Sequence, residues 1–135
     1  MKIVLVGPGR AGMSLAIAAM SAGHEIVAVV GRTVASAERA AKMVGATPLT
    51  VDDALPAADL LIIATRDEAI GAVAGAVATT ATEIGAAVHV SGLTSVDALA
   101  ALAANGISTG SFHPLQTLPT PEAGAAKLAG SYIAI

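Results

Sequence analysis

Six consecutive residues, Gly7-Pro8-Gly9-Arg10-Ala11-Gly12, carry the most chemical information in the chain. They spell G-x-G-x-x-G directly after the short apolar run Ile3 to Val6. Each glycine answers a separate demand: Gly7 permits a tight turn, Gly9 lets backbone approach a diphosphate, and Gly12 removes the side chain that would hold a following helix off a sheet. Pro8, Arg10 and Ala11 complete the loop, where backbone N–H groups and the positive end of a helix dipole favour an anion. The expected chemistry is dinucleotide binding through all six residues.

Selectivity should lie further along. An NAD site carries Asp or Glu about 20 residues beyond the loop, at the end of the second strand, to hold the ribose hydroxyls. Here that place reads Val30-Gly31-Arg32-Thr33. Arg32 can bind a 2'-phosphate bidentately, and Thr33 or Ser36 can donate hydroxyls, so NADP is the expected cofactor and NAD the lesser fit. Arg39 and Lys42 read as a solvated helix face.

Candidates for catalysis cluster at other strand ends, where an open parallel sheet binds its ligands. Ala64 and Thr65 close the fourth strand and are expected to touch cofactor, although Thr65 with Glu68 also fits a capping box. Ser91 and Gly92 close the fifth, with His89 two residues earlier and so on the same face of an extended strand. His113 ends the sixth, inside the polar stretch Gly110 to Thr117, and is the best candidate for orienting substrate or for general acid work. Its alternative is a histidine bonded to its own turn before Pro114. His24 precedes the second strand and reads as structural. No acid–base dyad is close in sequence.

These residues need a frame, and the apolar pattern supplies one by switching repeatedly between short continuous runs and helical spacing. Strands are expected at Lys2 to Val6, Glu25 to Val30, Thr47 to Leu49, Asp59 to Ala64, Ala86 to Ser91 and Ile107 to Phe112, with a seventh at Ser131 to Ile135. Helices are expected at 10 to 22, at 34 to 44 with Gly45 as C-terminal cap, and around Ile70, Val73, Ala74 and Val77. Another should start at Thr94, which stands three residues before Asp97 in a capping-box spacing. The fold expected is α/β, a doubly wound parallel sheet of six to seven strands forming a single domain over residues 1–135.

Composition closes off other classes. The 135 residues carry seven basic against ten acidic side chains, a net charge of -3. No basic stripe exists to neutralise a run of phosphates, and one Phe and one Tyr give no stacking platform, so nucleic acid is not an expected partner. The absence of cysteine removes disulfides, thiol catalysis and cysteine-held metals, and no metal is expected. Apolar runs are strand length, far below the roughly 20 residues of a membrane span, and Gly7 interrupts the first of them too early for a signal peptide. A soluble cytoplasmic domain is the expectation. About a quarter of the chain is alanine, read as small-residue helix packing.

Taken together, GPGRAG at 7–12, GRT at 31–33, HVSG at 89–92 and GSFHPLQTLP at 110–119 resemble a family of NADP oxidoreductases. Its members have an N-terminal Rossmann-like domain and a helical C-terminal domain of unknown function. They are similar to the pyrroline-5-carboxylate reductase, prephenate dehydrogenase and ketopantoate reductase groups. The resemblance covers the whole chain, and its V-S-G and F-H-P-L-Q pair is more specific than the glycine loop. It implies that Ser91, Gly92, His113 and Gln116 line the nicotinamide and substrate side, with Ser91 and His113 catalytic. It also implies reduction of a small oxo acid, ketopantoate-like, or of an imine.

The resemblance further implies a helical domain that closes the site and often makes a homodimer, and the sequence stops at Ile135, as either a truncated piece or a natural stand-alone module would. The expectation is therefore a cofactor domain that binds NADP with little or no turnover by itself. Two other readings stand beside it. One is a dinucleotide-sensing module without catalysis. The other is a prephenate-type dehydrogenase domain, which shares the H-P motif but would place an acid where Arg32 stands if it used NAD.

Overall fold

The computed structural model describes all residues, Met1–Ile135. Six parallel strands form the sheet: β1 (Lys2–Val6), β2 (Glu25–Val30), β3 (Thr47–Leu49), β4 (Ala58–Ile63), β5 (Ile84–His89) and β6 (Ser108–Ser111). Their order is β3-β2-β1-β4-β5-β6, so the chain winds outward from β1 in one direction, then returns to its other side. Between β1 and β4 lies the switch point at which such sheets bind ligands.

Why these segments are strands follows from burial on both faces. Val4, Leu61 and Val29 are wholly buried, and the continuous runs Ile3 to Val6 and Leu61 to Ile63 leave no polar face to wet. On one face Ile3, Leu5 and Ile62 pack against α1 (Arg10–Ser21) and α2 (Val34–Val44). On the other, Val4, Val6, Leu61 and Ile63 meet α3 (Ile70–Ala78) and the Val96–Leu99 turn that leads into the short α4 (Ala100–Ala103). Truncating a wholly buried residue such as Leu61 to Ala would cost about 2–5 kcal/mol.

Most expected elements stand where the sequence puts them, including the left-handed cap at Gly45 with φ of 68°. Four differ. The fifth strand stops at His89, so Ser91 lies beyond it in a turn. Residues 131–135 add no strand to the sheet; β8 (Ile133–Ala134) pairs antiparallel with β7 (His113–Pro114) in a separate two-stranded ladder. The helical segment near Thr94 is capped one residue later, by Ser95, whose hydroxyl accepts from the Asp97 amide at 3.2 Å. A tight 3-10 turn brings the second following amide, rather than the third, to the cap. The Thr65–Glu68 capping box does not form, since no side chain caps the Asp67–Ala69 turn.

One helix has no counterpart in the sequence reading. α5 (Pro121–Leu128) starts at Thr120, whose hydroxyl accepts from the Ala123 amide at 3.2 Å. It lies on α1, where Gly124 sits so close to Ser14 that a Cβ there would overlap the Ser14 hydroxyl. Ser14, wholly buried, donates to the Arg10 carbonyl at 2.7 Å and reaches the Thr120 carbonyl at 3.4 Å. That contact ties the start of α5 to the first turn of α1.

Candidate functional site

β1 delivers the chain to the carboxyl edge at Val6, and Gly7 turns it with φ of 90°, its amide donating to the Val30 carbonyl at 3.0 Å. A Cβ at Gly7 would stand 2.8 Å from the Ala64 carbonyl and the Thr65 nitrogen, so this loop touches the end of β4 backbone to backbone. At Gly12 a Cβ would overlap the Gly7 carbonyl and crowd Leu5 Cδ1 at 3.2 Å, which confirms that this glycine lets α1 lie against the sheet.

Gly9 is the opposite case. It has ordinary extended backbone, φ -79° and ψ -171°, and nothing lies within 4 Å of where its Cβ would be. It is the N-cap of α1, no side chain caps the helix, and its first turn holds no acidic residue. The first helical bond runs from the Met13 amide to the Gly9 carbonyl at 2.9 Å. Amides at the start of α1 therefore have no partner from a side chain, and with the space at Gly9 open this is the arrangement that takes an anion.

A cleft of about 530 Å³ opens beside this loop, between the ends of β2 and β4. Gly7, Pro8, Gly9, Ala64 and Thr65 line it, with Val51 and Val73 as apolar walls. Its charged side chains are Arg32 from the end of β2 and Arg66 from the end of β4, and no carboxylate lines it. Two cations in one cleft of a chain with net charge -3 make a local site for an anion. Arg66 was not a candidate from sequence. Its neighbours Asp67 and Glu68 make it read as one member of a charged turn, and only the sheet order sets it across the glycine loop from Arg32.

Thr33 has a local duty. As N-cap of α2 its hydroxyl accepts from the Ser36 amide at 3.2 Å, and the Ser36 hydroxyl accepts from the Thr33 amide at 3.3 Å. Ser36 lines the cleft and Thr33 does not. Val51 is held there by its loop, in which Asp53 accepts from the Thr50 amide at 2.7 Å and the Thr50 hydroxyl at 3.0 Å. Those two bonds hold the Asp53 carboxyl below the usual carboxylate range.

Ser91, Gly92 and His113 gather at a different part of the same edge, beyond β4, and none of them lines the cleft. The Ser91 hydroxyl accepts from the Leu93 and Thr94 amides, both at 3.1 Å. His113 Nδ1 bonds the Val90 carbonyl at 3.0 Å, across from β7 to the end of β5, rather than its own turn. The ring covers Gly92 so closely that a Cβ there would come within 2.7 Å of Cδ2 and Nε2. His89, wholly buried beneath the turn, accepts from the Ser91 amide through Nδ1 at 3.2 Å, while its Nε2 has no partner. Gln116 is exposed, and its side-chain carbonyl accepts from the Thr117 amide at 3.0 Å. His24 lies at the amino edge, with Nδ1 3.1 Å from the amino terminus.

Elsewhere a larger groove of about 660 Å³ runs between α1 and α5, lined mostly by alanines and lacking convergent polar groups. No helix is long and apolar enough to cross a membrane.

Comparison with known proteins agrees with this geometry. A protein of Bacteroides fragilis assigned as an NADP oxidoreductase superposes with a TM-score of 0.73 at 29% identity, over 87% of this chain and 44% of that one. Synechocystis arogenate dehydrogenase gives 0.70 at 22% identity, over 93% and 45% of the two chains. Prephenate dehydrogenase from A. aeolicus, solved with NAD+ and hydroxyphenyl propionate, gives 0.64 at 16%, over 85% and 42%. The chain thus spans less than half the length of each of these proteins. No curated protein matches the sequence. Residues 1–114 match the Rossmann-like domain, and with the six-stranded order and the glycine loop in place the chain belongs to the Rossmann-like domain family.

Proposed function

We propose that the chain is the NADP-binding domain of an oxidoreductase acting on a small oxo acid, ketopantoate-like, or an imine. The observation that carries this reading is the cleft: an uncapped helix start, open space at Gly9, and Arg32 where a carboxylate would select NAD. The residues fit the cofactor. Gly7 to Gly12 would hold the diphosphate, Arg32 with Ser36 the 2'-phosphate, and Val51 with Val73 the adenine. Ala64 and Thr65 would back the diphosphate, and Ser91 with Gly92 would face the nicotinamide. Likeness to the Bacteroides protein supports NADP, and likeness to the two dehydrogenases supports a nicotinamide dinucleotide of either kind.

Bound nicotinamide would supply or accept hydride. The chain's own task is then the proton. With Nδ1 committed to the Val90 carbonyl, His113 keeps Nε2 for giving a proton to a developing alkoxide or taking one from an alcohol. Ser91 already accepts two amide bonds, so it can offer only its hydroxyl proton, which suits orienting a ligand better than attacking one. Exclusion of water would need this edge to be covered, and the similar proteins are about twice as long.

Calorimetric titration tests the reading. NADPH should bind at least about tenfold tighter than NADH, roughly 1.4 kcal/mol, and Arg32→Ala should erase that preference. Equal affinities in the unaltered chain would overturn the NADP assignment. A sensing module without catalysis is the second reading. It is favoured by one observation, that Ser91 and His113 are bonded to backbone as a purely structural turn would have them. A longer form of the protein that binds NADPH yet oxidises it with no oxo acid or imine, and that is indifferent to His113→Ala, would establish the sensor.

A further inference from the structure

We infer that His89 is a positioning residue for His113, acting through the single peptide group that joins Val90 to Ser91. The carbonyl of that group is bonded by His113 Nδ1 and its N–H by His89 Nδ1, at 3.0 and 3.2 Å. Two imidazoles thus grip opposite ends of one peptide plane just past the end of β5. The inference rests on the reading of His113 as the proton-handling residue, and it adds what holds that residue in place.

The two bonds assign opposite tautomers. An N–H that donates to His89 Nδ1 requires a lone pair there, so His89 is neutral and carries its proton on Nε2. A carbonyl that accepts from His113 Nδ1 requires a proton there, so neutral His113 leaves Nε2 unprotonated. Hydrogen bonds in series polarise one another, and a peptide whose N–H is engaged by His89 presents a stronger carbonyl acceptor to His113. Loss of the His89 acceptor would release the Ser91 amide, let the peptide plane turn, and free the His113 ring. Gly92 lets the His113 ring lie over this turn, where a Cβ would come within 2.7 Å of Cδ2 and Nε2.

His89 Nε2 is what separates this from ordinary packing. It is buried with no hydrogen-bond partner, an arrangement native interiors rarely keep. The position is wholly buried, in register with Ile63 of β4 and Ser111 of β6, and the ring's polarity is used at Nδ1 alone. A leucine at that place would leave the Ser91 amide without this acceptor.

Long-range 1H–15N correlation on the chain reads both tautomers at neutral pH. His89 is expected as Nε2–H and His113 as Nδ1–H, the reverse of the tautomer that free histidine prefers. In His89→Leu the His113 signal should change to a mixture and the Ser91 amide should exchange at least about tenfold faster. His89→Asn, whose side-chain carbonyl can stand near the lost Nδ1, should restore both. NADPH should still bind in each variant, since neither touches the cleft proposed to hold the diphosphate and the 2'-phosphate. A folded His89→Leu chain in which His113 keeps a pure Nδ1–H signal overturns the inference. Should His89→Leu fail to fold, a His89→Asn chain with a protected Ser91 amide but a mixed His113 signal overturns it equally. Failure of the unaltered chain to bind NADPH would overturn the proposed function and leave the tautomer result standing.

Discussion

The two halves of the sheet's carboxyl edge treat their polar groups in opposite ways. At the end of β1 the start of α1 has no capping side chain, no acidic residue in its first turn, and empty space over Gly9. At the end of β5 the Val90 carbonyl, the Ser91 amide and the Ser91 hydroxyl are each bonded within the protein. Orphan donors at a helix start cost little while water reaches them, and they gain when an anion replaces the water. A turn locked by internal bonds is rigid beforehand and holds any atom it leaves free in a fixed place. One half therefore leaves its donors open to a ligand, and the other holds its turn by bonds of its own.

Substitutions at the glycines break this contrast most sharply. Gly12→Val should have the largest effect, because its Cβ would overlap the Gly7 carbonyl and press on Leu5. Overpacking of that kind costs about 3 kcal/mol, read as a lower urea midpoint, and cofactor binding should vanish with the displaced helix. Gly9→Val should behave differently. Its backbone is available to any residue and its Cβ meets nothing, so stability should fall by only about 1 kcal/mol for the poorer N-cap. NADPH affinity should nevertheless drop at least about 100-fold, roughly 2.7 kcal/mol. A folded Gly9→Val chain with normal affinity would mean that the loop is only a turn.

The arginines sharpen the comparison at smaller scale. Arg32→Ala should cost about tenfold in NADPH affinity, ~1.4 kcal/mol, and leave NADH unchanged. Arg66 lines the same cleft from the far side of the glycine loop, where its expected contribution is positive potential rather than a selective contact. Arg66→Ala should weaken both cofactors by about threefold at low salt, and the loss should shrink as ionic strength rises through about 0.15 M. A loss confined to NADPH would make Arg66 a second selectivity residue instead.

Legibility in the sequence follows the same division. The turn at Gly7 and the helix–sheet contact at Gly12 could be read directly, because each answers a local steric demand, and the position of Arg32 is set by the end of β2. β1 and β4 were legible as continuous apolar runs. α5 was not, although Thr120-Pro121-Glu122 is a good helix start. Between Ala123 and Lys127 there is no large apolar side chain, so no helical period stands out, and the helix forms because Gly124 fits over Ser14. Ser131 to Ile135 looked like one more strand of the sheet, but the only edge it meets is that of His113 and Pro114. His89 was placed on one face with Ser91 by strand alternation. The strand ends at His89, and the pair meet by a backfolded amide that no periodicity encodes.

The smallest expected effect concerns the loop that carries Val51 to the cleft wall. Asp53 is exposed, and its carboxyl is held below the usual range first by the Thr50 amide and then by the Thr50 hydroxyl. A carboxyl whose value is depressed in the folded state stabilises that state above its unfolded value, about 3.9. That stabilisation is lost as pH falls through the lower, folded value. Asp53→Asn should therefore lower Tm slightly at pH 7, and the difference from the unaltered chain should close as pH falls below about 3.9. NADPH affinity at pH 7 should weaken by less than about twofold, because Val51 is one wall of the cleft and the diphosphate contacts are elsewhere. A Tm difference that persists unchanged in acid would show that the loop depends on the shape of the side chain rather than its charge. The cleft's apolar wall would then be as indifferent to pH as the glycine loop opposite.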